Sequence, residues 1–199
     1  MVHPIEAESY RILARRADLA DLAPGPRAVI ERVIHASADM EFATSMVVDE
    51  KDVAAGVAAV AAGAPAIVDV EMVRAGISSY PTECFLAQAV AGPGGFPTRS
   101  AAAVRVAAER HPDGAVWVIG CAPTALVELL GLAAAGRVRP ALVIALPVGF
   151  VGAAEAKEAA RHLAAGNGLA VISNVGEKGG SAVAAAAFNA LVRLSQAAG

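Results

Sequence analysis

The chain has 199 residues, a formal net charge of −3 and a hydrophobic content of 56%, of which little is aromatic. Positive and negative residues are mixed along the sequence, which excludes the basic stripe of an electrostatic nucleic-acid binder. The two cysteines, Cys84 and Cys121, have neither Cys-x-x-Cys nor Cys/His spacing. This pattern indicates reduced thiols and excludes a disulfide framework or a zinc site.

The N-terminal third predicts helices before any strand. An acidic first turn favours a helix over residues 4–17, and Pro24-Gly25-Pro26 predicts a break. A second helix is expected over about 27–36, and an Ala-rich helix opened by Asp52 over 52–62. Residues 40–49 are ambiguous between loop and strand.

From residue 66 onwards, short apolar segments alternate with helical ones. The predicted strands cover residues 66–70, 84–90, 115–119, 141–146 and 169–172, and the segments after them predict a helical turn at 72–75 and helices at 98–110, 123–135, 153–165 and 181–195. Apolar strands that are each followed by a helix are typical of a parallel sheet covered on both faces. We therefore expect an α/β fold: a three-layer α/β/α sandwich with a mainly parallel five-stranded sheet, preceded by two N-terminal helices, in one domain spanning 1–199.

The sequence predicts neither a membrane span nor a signal peptide. The longest uncharged runs are interrupted by Gly and Pro and fall short of the roughly 18 apolar residues that a span needs. Residues 1–10 include two glutamates and have no apolar core segment. We expect a cytoplasmic protein that does not act on membranes.

His35 ends the second predicted helix, at the border of a short polar segment. Histidine can give and take a proton near neutral pH, which makes His35 a candidate acid or base. The alternative is a histidine that caps the helix or packs on the surface. The sequence around His35 does not decide between the two.

Four junctions before predicted helices carry Gly, Ser, Thr or other small residues, at 96–100, 120–124, 147–153 and 176–181. Helix N-termini offer free N–H groups and attract anions. The fingerprints of dinucleotide and P-loop sites are missing, which disfavours a nucleotide-binding α/β enzyme. With Arg99 and Lys178 added, the junctions favour a ligand with several dispersed carboxylates. Ordinary strand-to-helix turns remain the alternative.

Two further groups of charged residues have structural alternatives. Asp69 and Glu71 follow the first predicted strand, and they form either an acid/base pair or, more ordinarily, a helix cap. Glu155, Lys157 and Glu158 predict a solvated helix face. No His/Asp/Glu spacing indicates a metal bound by the protein itself.

Six segments, in this order, resemble the precorrin-8X methylmutase family: ERVIH at 31–35, DVEMVRAGI at 69–77, TRSAA at 98–102, APTAL at 122–126, PVGFVGAAE at 147–155 and KGGSA at 178–182. The resemblance implies an isomerase of cobalamin biosynthesis. Such an enzyme moves a methyl group from carbon 11 to carbon 12 of precorrin-8X to give hydrogenobyrinic acid, or of the cobalt form to give cobyrinic acid.

The resemblance also implies a flavodoxin-like sandwich and a homodimer with its site near the subunit interface. It implies a tetrapyrrole substrate and no organic cofactor, and the cobalt, where present, belongs to the substrate.

The family's catalytic histidine falls on His35, which would protonate or hydrogen-bond a ring nitrogen beside the migrating methyl group. The substrate contacts that the resemblance implies are Ser9, Thr98, Arg99, Cys121, Thr124, Lys178 and Ser181. Cys121 stands where the family usually has asparagine, and the segment at 91–97 differs from its usual run. These departures leave a second hypothesis open, a catalytically weak corrinoid-binding carrier.

Overall fold

A computed structural model describes residues 3–95 and 97–198; Phe96, at the start of one predicted junction, lies outside them. The helices are α1 Pro4–Arg16, α2 Pro24–Ser37, α3 Phe42–Ser45, α4 Glu50–Ala61, α5 Glu71–Gly76, α6 Arg99–Arg110, α7 Pro123–Ala134, α8 Ala153–Asn167 and α9 Ser181–Ala198. The strands are β1 Met46–Val47, β2 Ala66–Val68, β3 Glu83–Cys84, β4 Val116–Ile119, β5 Leu142–Ala145 and β6 Val171–Asn174.

The strands form one mostly parallel sheet in the order β1-β6-β5-β4-β2-β3. Strands β2 to β6 run parallel, whereas β1 pairs antiparallel with β6. The chain goes from β2 to β3 on one side and then returns to β4 on the other. This reversal creates a switch point between β2 and β4, and ligands of open α/β sheets bind at such a crevice, beyond the carboxyl ends of the strands.

The prediction of five strands was wrong by one, because Met46 and Val47 add an antiparallel edge strand opposite Asn174 and Ser173. Two residues are too few to produce a readable alternation. The strand predicted at 84–90 was also too long. Only Glu83–Cys84 pairs with β2, and the chain then turns through the 3₁₀ segment Leu86–Gln88.

Among the helix boundaries that differ from the prediction, three have a clear local explanation. Pro24-Gly25-Pro26 is the first turn of α2 rather than a break, because a proline at a helix start loses no hydrogen bond. Helix α4 begins at Glu50 with Asp49 at its N-cap position, not Asp52. Helix α8 continues past Gly166 to Asn167, and its C-cap residue is Gly168, whose φ of 71° suits glycine at a helix end.

The buried residues form two hydrophobic clusters that alternate along the strands. In β4, Val116 and Val118 belong to the first cluster, whereas Trp117 and Ile119 belong to the second. The first cluster includes residues of α2, α4 and α9, and the second includes residues of α6, α7 and α8. Of the helices in the described ranges, none is long and apolar enough to cross a bilayer.

Candidate functional site

His35 lies in the last turn of α2 and is held by two residues of α1. The Ser9 hydroxyl is 2.8 Å from His35 Nδ1. The Tyr10 ring stacks on the imidazole with 5.0 Å between ring centroids and an interplanar angle of 10°. The imidazole is half-buried, and the described hydrogen bond uses Nδ1, which leaves Nε2 as the ring nitrogen for an outside partner. The structure thus brings together two predicted site residues, Ser9 and His35.

Burial and two neighbouring cations together lower the proton affinity of His35. Burial lowers the pKa of His35 below 6.5, and the Arg32 and Arg193 guanidiniums lower it further, whereas Glu6 opposes them. Glu6 Oε1 accepts hydrogen bonds from Arg32 at 2.9 Å and Arg193 at 2.8 Å, and the bond from Arg193 lowers the pKa of Glu6. A histidine in this setting gives up its proton more readily than an ordinary one.

Lys178 connects the loop after β6 with the segment that follows α2. Its Nζ lies 2.7 Å from Asp39 Oδ2 and 2.7 Å from Glu41 Oε2, and the hydrogen bonds that it donates to both carboxylates raise the pKa of Lys178. Ala38 ends α2 with a φ of 54°, a conformation that alanine rarely adopts. Asp39 directly follows this turn, so the contact between Lys178 and Asp39 lies next to the end of the helix that bears His35.

Thr98 and Thr124 meet at the start of α6 and α7. Their hydroxyl oxygens are 2.7 Å apart, and Thr98 Oγ1 also caps α6 by accepting the Ala101 N–H at 3.2 Å. They border a cleft of about 420 Å³ whose other lining residues are Pro97, Ala101, Arg105, Val127 and Glu128. No hydrogen bond in residues 3–95 and 97–198 links this cleft to Ser9 and His35. The described hydrogen bonds therefore form two groups of predicted residues that are not joined to each other.

Three more predicted residues lie at helix starts in different settings. Arg99, the first residue of α6, is exposed. Ser181, the first residue of α9, is buried. Cys121 is exposed, and both partial burial and the nearby Asp69 carboxylate raise the pKa of its thiol. The thiol therefore stays protonated at neutral pH and offers a ligand only a weak hydrogen bond.

Asp69, which directly follows β2, is hydrogen-bonded across the switch point to the segment that follows β4. Its carboxylate accepts the backbone N–H groups of Gly120 at 3.0 Å and of Cys121 and Ala122 at 2.8 Å each. Burial raises the pKa of Asp69, and the three N–H donors oppose that rise. Glu71 is exposed and pairs with Arg74 instead. The two carboxylates therefore have different partners, and neither is the N-cap residue of α5, which is Val70.

Lys157 was wrongly predicted to lie on a solvated face. Glu155 and Glu158 are exposed, but Lys157 is fully buried, and burial lowers its pKa to about 8. The spacing contained the signal, because the buried residues of α8 are Ala153, Ala156, Lys157 and Ala160. This is the i, i+3, i+4, i+7 pattern of a core-facing stripe. The charge of Lys157 concealed it in the sequence.

Comparison with known proteins identifies the sequence and the fold with one family. The profile of the family CbiC, precorrin-8X methylmutase, matches residues 4–194. The cobalt-precorrin-8 methylmutase of Methanocaldococcus jannaschii is 40% identical over 82% of this chain and 77% of its own length. The precorrin-8X methylmutase of Pseudomonas aeruginosa is 41% identical over 94% and 93%. The crystal structure of precorrin-8X methylmutase from Thermus thermophilus superposes with a TM-score of 0.86 at 36% identity, covering 98% of this chain and 97% of that one.

Proposed function

The chain belongs to the precorrin-8X methylmutase family of cobalamin biosynthesis, and from this premise we propose that His35 is the acid that promotes methyl migration around the corrin ring. The observation that carries the proposal is the hydrogen bond between Ser9 and His35 Nδ1, with Tyr10 stacked on the ring. These contacts fix the imidazole and leave Nε2 to face a substrate.

In the proposed reaction, Nε2 gives its proton to the ring nitrogen beside the migrating methyl group. The protonated ring is poorer in electrons, which favours a 1,5-shift of the methyl group from carbon 11 to carbon 12. The bond to carbon 11 breaks as the bond to carbon 12 forms, so no outside methyl donor is needed. The proton returns to Nε2 at the end, and the lowered pKa of His35 suits the donating step.

We propose that the peripheral carboxylates of the tetrapyrrole are bound at the helix starts along the same edge of the sheet. Lys178 and Arg99 would supply cationic partners, since charge-assisted hydrogen bonds are the stronger ones. Hydroxyl and thiol contacts would come from Thr98, Thr124, Ser181 and Cys121. Both the metal-free and the cobalt form of the substrate carry these carboxylates.

We propose one domain with a three-layer, flavodoxin-like sandwich, in a cytoplasmic protein. The two core clusters on alternate strand residues support the layering, because each requires helices on its own face of the sheet. The order of the five parallel strands supports the flavodoxin-like topology, because it is 2-1-3-4-5 when they are counted by themselves.

We further propose a homodimer in which the partner subunit completes each site. In support, the loop between β5 and α8 presents Phe150 at 92% and Val151 at 88% exposure. Adjacent apolar side chains that project this far are typical of a surface that binds another molecule.

Phe150→Asp is expected to convert the dimer into monomers, because it places a charge in an apolar interface. Sedimentation equilibrium gives the mass directly. Met72→Asp is the matched control, since Met72 is 74% exposed but lies on α5 outside the loop, and its dimer should persist. A monomeric wild-type chain, or a Phe150→Asp variant that remains dimeric, would contradict the proposal.

The pH dependence of kcat/KM should report the proton on His35. Because the acid must be protonated, kcat/KM is expected to fall as pH rises through a midpoint below 6.5. Glu6→Gln removes the one carboxylate that raises the pKa of His35, so the midpoint should move lower. Glu8→Gln, on the same helix but paired with Arg11 and Arg15, should leave it unchanged. A flat or rising profile would exclude His35 as the acid.

The direct test mixes the protein with precorrin-8X and follows conversion of the orange substrate into the pink corrin by absorption. Conversion by the wild-type chain is expected. Calorimetry on the same samples tests the second hypothesis, a catalytically weak corrinoid-binding carrier. Such a carrier would bind the corrinoid tightly without any spectral change. Binding without conversion would contradict the proposed isomerase.

A further inference from the structure

A buried lysine on α8 is bonded to the loop that carries Lys178. Lys157 is fully buried, and its Nζ donates to Asn174 Oδ1 at 3.0 Å and to the Lys178 carbonyl at 2.6 Å. Asn174 Nδ2 donates to the same carbonyl at 2.9 Å and to the Val175 carbonyl at 3.2 Å. The backbone of Lys178 is thus anchored from the core by two donors.

A second cation strengthens this anchor. Arg161, one turn further along α8, donates to Ser173 Oγ at 3.1 Å and to the Asn174 carbonyl at 2.9 Å. A buried ammonium whose hydrogen bonds go to neutral oxygens costs free energy, since the attraction of the Glu177 carboxylate offsets only part of its lost hydration. Methionine of similar length would fill the same space without that cost. The structure therefore maintains Lys157 at a cost that core packing alone does not require.

A chain of contacts leads from Lys157 to the end of α2, the helix that bears His35. Lys157 holds the carbonyl of Lys178, and the side chain of Lys178 binds Asp39 and Glu41 just after α2. We infer that Lys157 is a positioning residue for the methylmutase reaction: it fixes the backbone of Lys178 so that the Lys178 ammonium stays beside the helix end that bears His35. The inference rests on the proposed function in one respect, that Lys178 binds a substrate carboxylate.

The experiment is a double-mutant cycle on KM with Lys157→Met, Lys178→Met and the variant that carries both. Loss of one charge-assisted hydrogen bond predicts that Lys178→Met raises KM about tenfold with kcat nearly unchanged. Lys157→Met should raise KM by about threefold to tenfold, again with little effect on kcat. Because Lys157 acts through Lys178, the double variant should show no more than the larger single effect.

Leu129→Ala is the control for lost stability. Leu129 is fully buried in the second core cluster, and its apolar side chain takes no part in this hydrogen-bond network, so its truncation weakens the fold but should leave KM at the wild-type value. Should Lys157→Met fail to fold, Asn174→Ala takes its place in the cycle, since it removes both the acceptor for Lys157 and a donor to the Lys178 carbonyl.

The possible outcomes test the positioning role of Lys157 separately from the proposed function. If the two KM effects multiply in the double variant, or if Lys157→Met has the KM of wild type, the positioning role is overturned while the proposed function remains. If Lys178→Met has the KM of wild type, Lys178 does not bind the substrate and the inference falls with that role. His35→Ala is measured alongside, because its loss of kcat tests the proposed reaction independently of Lys178.

Discussion

Replacing His35 with alanine is expected to lower kcat by about 10²–10⁴-fold, the range that a positioned general acid contributes. The ring nitrogen of the substrate would then lack the proton that favours methyl migration. KM should change far less, since His35 contributes one contact among several. Single-turnover absorption measurements with precorrin-8X give kcat for the slow variant. Ser9→Ala should have a smaller effect in the same direction, because it frees the imidazole without removing it.

His162→Ala is the control for this prediction. His162 is also a helical histidine, but its side chain is 78% exposed and pairs with Glu158 on α8, so its loss should leave kcat unchanged. The unfolding midpoint of His35→Ala should stay close to that of wild type, because the imidazole is only half-buried. A His35→Ala enzyme that converts substrate at the wild-type rate would exclude the proposed mechanism, whatever its stability.

The sequence predicted the strands β4 and β5 well because their signals are local. The strands β4 and β5 are continuous apolar runs, and each lies between turn residues that are visible in the sequence. The antiparallel strand Met46–Val47 could not be predicted, because it exists only through its pairing with β6. A two-residue strand has no period of its own, so tertiary contacts decide it.

The sequence indicated candidate site residues, but it could not predict which of them contact one another. The pairing of Ser9 with His35 joins α1 to α2, and the pairing of Lys178 with Asp39 joins the loop after β6 to the end of α2. No spacing within one segment predicts such contacts. Lys157 was misread because a charged residue normally marks a solvated face, and here hydrogen bonds to buried oxygens override that rule.

Asp69→Ala is expected to lower the free energy of unfolding by about 3–6 kcal/mol. The substitution leaves the N–H groups of Gly120, Cys121 and Ala122 without an acceptor. An unsatisfied buried group costs about 1–3 kcal/mol, and the two partly buried N–H groups, of Cys121 and Ala122, fall towards the lower end of that range. Chemical denaturation followed by circular dichroism measures the loss. Glu71→Ala is the matched control two residues away, because exposed ion pairs contribute little, and it should cost less than about 0.5 kcal/mol.

Asp69→Asn separates a structural role from a chemical one. The amide keeps one oxygen for the N–H groups but turns its own NH₂ towards another, so stability should fall by an intermediate amount. If Asp69 instead served as an acid or base, Asp69→Asn would abolish kcat and leave the unfolding free energy intact. We expect the reverse, with kcat largely retained at a temperature where the variant is folded. Asp69 joins the end of β2 to the start of α7 on the two sides of the switch point. Because its carboxylate oxygens already accept three N–H groups, Asp69 has little capacity left for proton transfer to a substrate.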